Sequence, residues 1–139
     1  MRYSRFLIAA AVASFAAACA SQATSTTPTA QNGVRGVVQS GTHPIAGASV
    51  ALYQTGQSGT ARAPVAVGHA TTDSNGKFFI AFSKTGASSN LYVVATGGNA
   101  GSGNNAAIAL GGLAGTPGST IPSITVNERS TVAMAFALA

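Results

Sequence analysis

Thr72-Asp73-Ser74-Asn75-Gly76-Lys77-Phe78-Phe79-Ile80 joins two β-type runs, residues 65–72 before it and 77–83 after it. Asp73 can accept backbone amides two residues on, and Asn75 and Gly76 tolerate positive φ. The tetrad Asp73–Gly76 is therefore a turn signal, and the flanking runs are predicted to form a hairpin. Within the second run Phe78, Ile80 and Phe82 share one face. The same pattern continues outward. Residues 49–54 alternate, with Val50 and Leu52 on one face, and residues 34–39 and 90–96 are short β-type runs. Residues 40–47 form a turn cluster with Pro44 and Gly47. Short strands with turns every 8–12 residues predict an all-β sandwich or barrel.

Composition agrees. The chain has 139 residues, which fits one domain with appendages. Only 6% are charged, against roughly 25% in an average soluble domain, while 46% are hydrophobic. Low charge with ample Val, Ile and Ala excludes both a disordered chain and a charge-laced coiled coil.

Two of the basic residues behind the net charge of +5 stand at the start. Arg2 and Arg5 precede the apolar run 6–18, and small residues follow. This is the pattern of a secretory signal peptide over residues 1–18. Thirteen apolar residues are too few for a membrane-spanning helix, which needs about 20. Beyond it, Arg35, Arg62, Lys77, Lys84 and Arg129 face Asp73 and Glu128, a net +3. The five are scattered along the chain, so nucleic acid is not an expected partner. Ala16-Ala17-Ala18-Cys19 resembles a bacterial lipobox, although Ala16 stands where Leu is usual. The resemblance implies diacylglyceryl transfer to the thiol of Cys19 and a membrane anchored through it. Cys19 is the single cysteine, so no internal disulfide can form and acylation would remove a free thiol. Ala20 follows, where an Asp would signal retention, and this resembles sorting to the outer membrane. The alternative is ordinary cleavage and a periplasmic or secreted protein. Residues 19–32 are Ser/Thr-rich and uncharged, as expected of a flexible tether up to ~45 Å long before a domain over 33–139.

Residues 37–52, containing Pro44-Ile45-Ala46-Gly47-Ala48, together with Thr72-Asp73-Ser74-Asn75-Gly76-Lys77-Phe78, resemble the carboxypeptidase regulatory-like domain. The resemblance spans about residues 33–97. It implies a transthyretin-like Greek-key β-sandwich of about seven strands, in which Pro44, Gly47, Asp73, Asn75 and Gly76 are structural turn residues. Gly47 would allow a bend closed to residues with a Cβ, and Ile45 and Phe78 would plug the ends of the sandwich. Members of that family are mostly accessory, adhesive or spacer modules, so the resemblance implies no activity by itself.

Two readings compete in the tail. Residues 97–105 (GGNAGSGNN) are expected to be a flexible loop, 106–112 a strand or helical turn, and 123–127 a strand. Asn127 could cap a helix over 128–139, with Glu128 at the positive end of its dipole. Val132, Met134, Phe136 and Leu138 also alternate with Ala, as in a strand. Helix propensity tips the balance to the helix. Residues 78–82 and 91–95 are apolar at nearly every position. The tail is therefore expected to cover an outer face around Phe79, Leu91 and Val93.

No constellation of catalytic residues emerges. Gly101-x-Gly103-x-x-Ala106 lacks the following acid and the βαβ context of a dinucleotide site. His43, Tyr53, His69 and Tyr92 match the residue types of the iron ligands in intradiol dioxygenases. Their order differs, and a turn histidine, a strand histidine and two sandwich tyrosines are the simpler expectation. Asp73 and Asn75 supply too few oxygens for calcium, which takes six or more. The expectation is thus a non-enzymatic envelope lipoprotein with no cofactor and no metal, acting as a binding, adhesive or spacer module. An envelope protein or a polysaccharide would be its partner. The alternative is an accessory domain of a larger secreted enzyme.

Overall fold

The structure, a computed structural model, describes residues 33–56, 63–83, 89–117 and 121–139. The expected signal peptide, Cys19 and the expected tether all lie outside them. The elements in chain order are β1 (Gly33–Ser40), β2 (His43–Pro44), β3 (Ser49–Gln54), β4 (Val65–Thr71), β5 (Lys77–Ala81), β6 (Leu91–Thr96), β7 (Ala109–Gly115), β8 (Ile124–Val126) and α1 (Glu128–Leu138). One sheet is built on β1, which pairs antiparallel with β5 and with the short β2, and parallel with β8. The other runs β4-β3-β6-β7, antiparallel throughout. The fold is an all-β sandwich with a C-terminal helix.

The core is the overlap of two alternating patterns. Val34 and Val38 of β1, Phe78 and Ile80 of β5, and Val126 of β8 point inward from one sheet. Val50 and Leu52 of β3, and Leu91, Val93 and Ala95 of β6, meet them from the other. Each fully buried Val, Leu, Ile or Phe contributes about 1.5–3 kcal/mol, so these positions carry most of the stability. Gly36 sits beneath Phe78 and Ile124, where a Cβ would collide with both.

Three expectations are corrected here. Residues 65–72 and 77–83 do not form a hairpin. The turn between them forms, but β4 pairs with β3 and β5 with β1, so the chain crosses from one sheet to the other. Asn75 keeps a negative φ, and only Gly76, at φ 70°, takes the left-handed conformation. The tail does not cover Phe79, Leu91 and Val93. Leu91 and Val93 are fully buried on the inner face, and Phe79 is 45% exposed on the far sheet. The apparent two-faced apolarity of 91–95 has another source: Tyr92 and Val94 are half-buried on the outer face while their neighbours fill the core.

The segment 106–112, left open between strand and helical turn, enters β7. The glycine-rich loop before it is organised by Asn99. Its backbone exchanges hydrogen bonds with Ala46, and its Oδ1 accepts the amides of Gly101 and Gly103.

The tail is a helix, and the reason is visible at its first turn. Asn127 Oδ1 accepts the amide of Ser130, and Ser130 Oγ accepts the amide of Asn127, a reciprocal cap. The same turn closes the sandwich. Ser130 Oγ also lies 2.7 Å from the carbonyl oxygen of Gly111, and Thr131 Oγ1 accepts the Gly111 amide at 2.9 Å. The edge of β7 thus finds hydroxyl partners instead of another strand. Met134 lies over Gly111, where a side chain would displace it. On the opposite side Gly68 brings the backbone of β4 against Ile80 and Ala81.

Gly76→Val is expected to destabilise the domain by more than about 1 kcal/mol, because a β-branched residue resists positive φ. A Cβ there would also press on the Val38 carbonyl and on Pro44. The urea midpoint is the measurement, and an unchanged value would contradict this account of the turn.

Candidate functional site

The five predicted turn residues converge at one end of the sandwich, around the buried side chain of Thr72. Thr72 is 5% exposed. Its Oγ1 donates to the carbonyl of Ile45 at 2.7 Å and accepts the amide of Ala48 at 2.8 Å. Its backbone adds two bonds, Thr72 N to Ala48 O and Gly47 N to Thr72 O. Gly47 makes the bend at φ 69°. Four residues further on, Gly76 O accepts the amide of Val38, and Val38 O accepts that of Ile45. Pro44 packs beside Gly76. The fully buried Ile45 and nearly buried Phe78 fill the space beneath, as end plugs would. Asp73 Oδ1 accepts the amides of Asn75 and Lys77, both at 2.8 Å. Asp73 is therefore committed to the turn. Among the described residues every buried side-chain nitrogen or oxygen has a partner.

A second polar cluster lies where α1 meets the β1–β2 turn. Glu128 Oε1 accepts the hydroxyl of Ser40 at 2.6 Å, from a residue 88 positions away, and Oε2 accepts the amide of Gly41. These bonds and the backbone amide at the helix start hold its carboxyl below the ordinary glutamate value. Gln39, Gly41, Thr42, Asn127, Glu128 and Arg129 line a cleft of about 360 Å³ beside it. A carboxylate so held ionised and hydrogen-bonded is a poor proton acceptor, which suits a structural tie between helix and sheet.

Of the four residues considered as iron ligands, two meet. Tyr53 and Tyr92 are cross-strand partners on β3 and β6, with ring centroids 5.4 Å apart and planes 17° apart. Burial, and the neighbouring Tyr53, push the Tyr92 hydroxyl above its ordinary pKa. His69 lies on β4 opposite Ala51, and His43 belongs to the other sheet. No three of His, Cys, Asp and Glu come together among the described residues. No described helix is long and apolar enough to cross a membrane.

One cluster is invisible to a reading of the sequence. Arg35 and Phe79 are direct partners on β1 and β5, and the guanidinium carbon stands 5.7 Å from the ring centroid. Lys77 lies two residues along the same face of β5. The signal was a basic and an aromatic residue at outward positions of two strands; only the register puts them together.

These features define a β-sandwich protein whose polar groups tie turns and strand edges together. No protein-family model matches the chain, and no curated protein does. Among solved structures it is similar to a 9R-lipoxygenase from Cyanothece PCC8801, at 14% identity and a TM-score of 0.42. That match covers 70% of this chain and 16% of the lipoxygenase.

Thr72→Val keeps the shape but leaves a buried carbonyl and amide unpaired, and is expected to cost about 1–3 kcal/mol. Thr72→Ser should cost clearly less, and urea denaturation of both variants checks the difference. Acid tests the Glu128 cluster. A carboxyl with a lowered folded-state pKa adds stability above the ordinary glutamate pKa of about 4.3, and loses it as pH falls through the lower folded value. Wild type is therefore expected to melt higher than Glu128→Gln at pH 7, with the difference shrinking as pH falls below about 4.3 and on through the lower folded value. A constant difference across that range would show that the charge is irrelevant.

Proposed function

We propose that this chain is a non-enzymatic module of the bacterial cell envelope. It is a lipoprotein anchored through Cys19 whose sandwich, of the carboxypeptidase regulatory-like type, serves as a binding, adhesive or spacer unit. The observation that carries the reading is the junction at Thr72. The two halves of the motif, 44–48 and 72–78, are some 25 residues apart in sequence, yet they interlock through the Thr72 hydroxyl and the Gly76 turn. Residues that resemble a family signature thus serve one structural purpose here, to turn the chain between sheets. The chemistry of the carboxylates also supports it. Asp73 and Glu128 each accept backbone amides of a turn, which suits architecture better than proton transfer. An envelope protein or a polysaccharide is the partner such a module would meet.

Metabolic labelling with palmitate tests the anchor. Wild type is expected to carry the label and to fractionate with membranes, and Cys19→Ser to lose the label. An unlabelled wild type with its mature N-terminus at Ser21 would refute the lipoprotein reading.

A further inference from the structure

We propose that the outer face of β1 and β5 is a membrane-contact patch, in which Arg35, Lys77 and Phe79 lay the domain onto an anionic lipid surface. The inference rests on the lipid-anchor reading and adds an orientation to it.

The face is defined by register. Arg35 is paired with Phe79, and Val37 with both Lys77 and Thr125 of β8, so all these side chains point away from the core. Arg35, Lys77 and Thr125 are exposed, and Phe79 is 45% exposed. α1 docks on β7 in the other sheet and leaves this surface uncovered. The Phe79 ring lies across Gly33, where any Cβ would strike it, and the Arg35 guanidinium lies over the ring. A cation held against a half-exposed aromatic ring combines headgroup attraction with an apolar group able to enter the interface.

Charge selects the partner. The chain has two acidic residues, Asp73 and Glu128, and neither stands on this face. Asp73 sits in the turn that leads into β5, with its Oδ1 on the amides of Asn75 and Lys77. Glu128 is bound to Ser40 and Gly41 at the far end of β1. Both carboxylates therefore lie toward residues 38–41, where Arg129 lines the same cleft as Glu128, while Arg35 and the aromatic ring lie toward residues 33–35, with no carboxylate beside them. The second is the end at which the chain from Cys19 enters. Thirteen residues separate Cys19 from Gly33, a span of at most ~45 Å. An anchored domain held that close meets the lipid surface at high effective concentration, so a two-charge patch suffices to orient it.

The chain contains no tryptophan, which makes a single reporter available. Phe79→Trp, in the full acylated protein on vesicles with brominated acyl chains, is expected to shift blue and be quenched on phosphatidylglycerol. On phosphatidylcholine, or at 1 M salt where the Debye length is about 3 Å, the effect should be lost. In the same background Arg35→Gln with Lys77→Gln should lower the ratio of docked to free protein by about 30-fold. Phe136→Trp, at an 88% exposed position on α1, should remain unquenched. Equal quenching of the two reporters, or quenching indifferent to lipid charge, would overturn the proposal. So would a shift of the Phe79→Trp reporter with soluble dextran sulfate and none with vesicles, which would mark a glycan face. Palmitate labelling reads the anchor separately. If the wild type proves unacylated, the patch stands when the Phe79→Trp indole of that protein still shifts on phosphatidylglycerol vesicles, and falls when it does not.

Discussion

The passage of the chain from β4 to β5 constrains everything else, because it carries backbone through the end of the sandwich where water cannot serve every amide and carbonyl. A hairpin would have satisfied those groups by pairing the two strands. Here β4 and β5 part to opposite sheets, so their ends need other partners. Thr72 provides them. One hydroxyl serves both the Ile45 carbonyl and the Ala48 amide, and its backbone serves Ala48 and Gly47. A buried polar group is costly unless paired, and this one is paired on every side. Gly76 completes the crossing, since its backbone approaches Val38 more closely than a side chain permits.

The two sides of the sandwich are closed differently. At one side β4 and β5 approach through Gly68, whose backbone lies against Ile80 and Ala81. At the other, Asn127 forms an isolated bridge to Gly111, and the first turn of α1 lends the hydroxyls of Ser130 and Thr131 to the same residue. A helix start replaces the missing strand. Its unsatisfied amides are capped by Asn127, and its first residue, Glu128, is bound to the β1–β2 turn. Val132 is 68% exposed, and beyond Met134 the helix is exposed throughout, with Phe136 at 88%. Its docking therefore depends on polar contacts at one end more than on an apolar stripe.

Few charges are spread over this surface, so the position of each matters. Both carboxylates are used in local architecture, whereas Arg35 and Lys77 stand on an open sheet face beside an aromatic ring. A sandwich of the proposed kind, held on a lipid anchor, has no need of a catalytic centre. It does need a defined attitude toward the surface that carries it, and the pairing of Arg35 with Phe79 on an open face is the means we propose.

Local sequence determined most of the strands, the faces that β3 and β5 bury and the cap at the helix start. Alternation at 49–54 and 77–82 placed Val50, Leu52, Phe78, Ile80 and Phe82 in the core, because a strand's side-chain period of two depends on nothing distant. Gly76 was legible as a positive-φ residue and Asn127 as a cap, since each depends on neighbours within a few residues. The partner of each strand was not legible. A turn signal reads the same whether its flanks pair with each other or diverge, so the hairpin expected across 73–76 became a crossing between sheets. The apolar run at 91–95 gave no sign of which positions would fill the core, because that depends on which sheet covers them. Register with β1, set by contacts tens of residues away, put Phe79 under Arg35 and left it open. Long-range pairing decides which outward side chains become neighbours, and it is fixed only when the two sheets close on a common core.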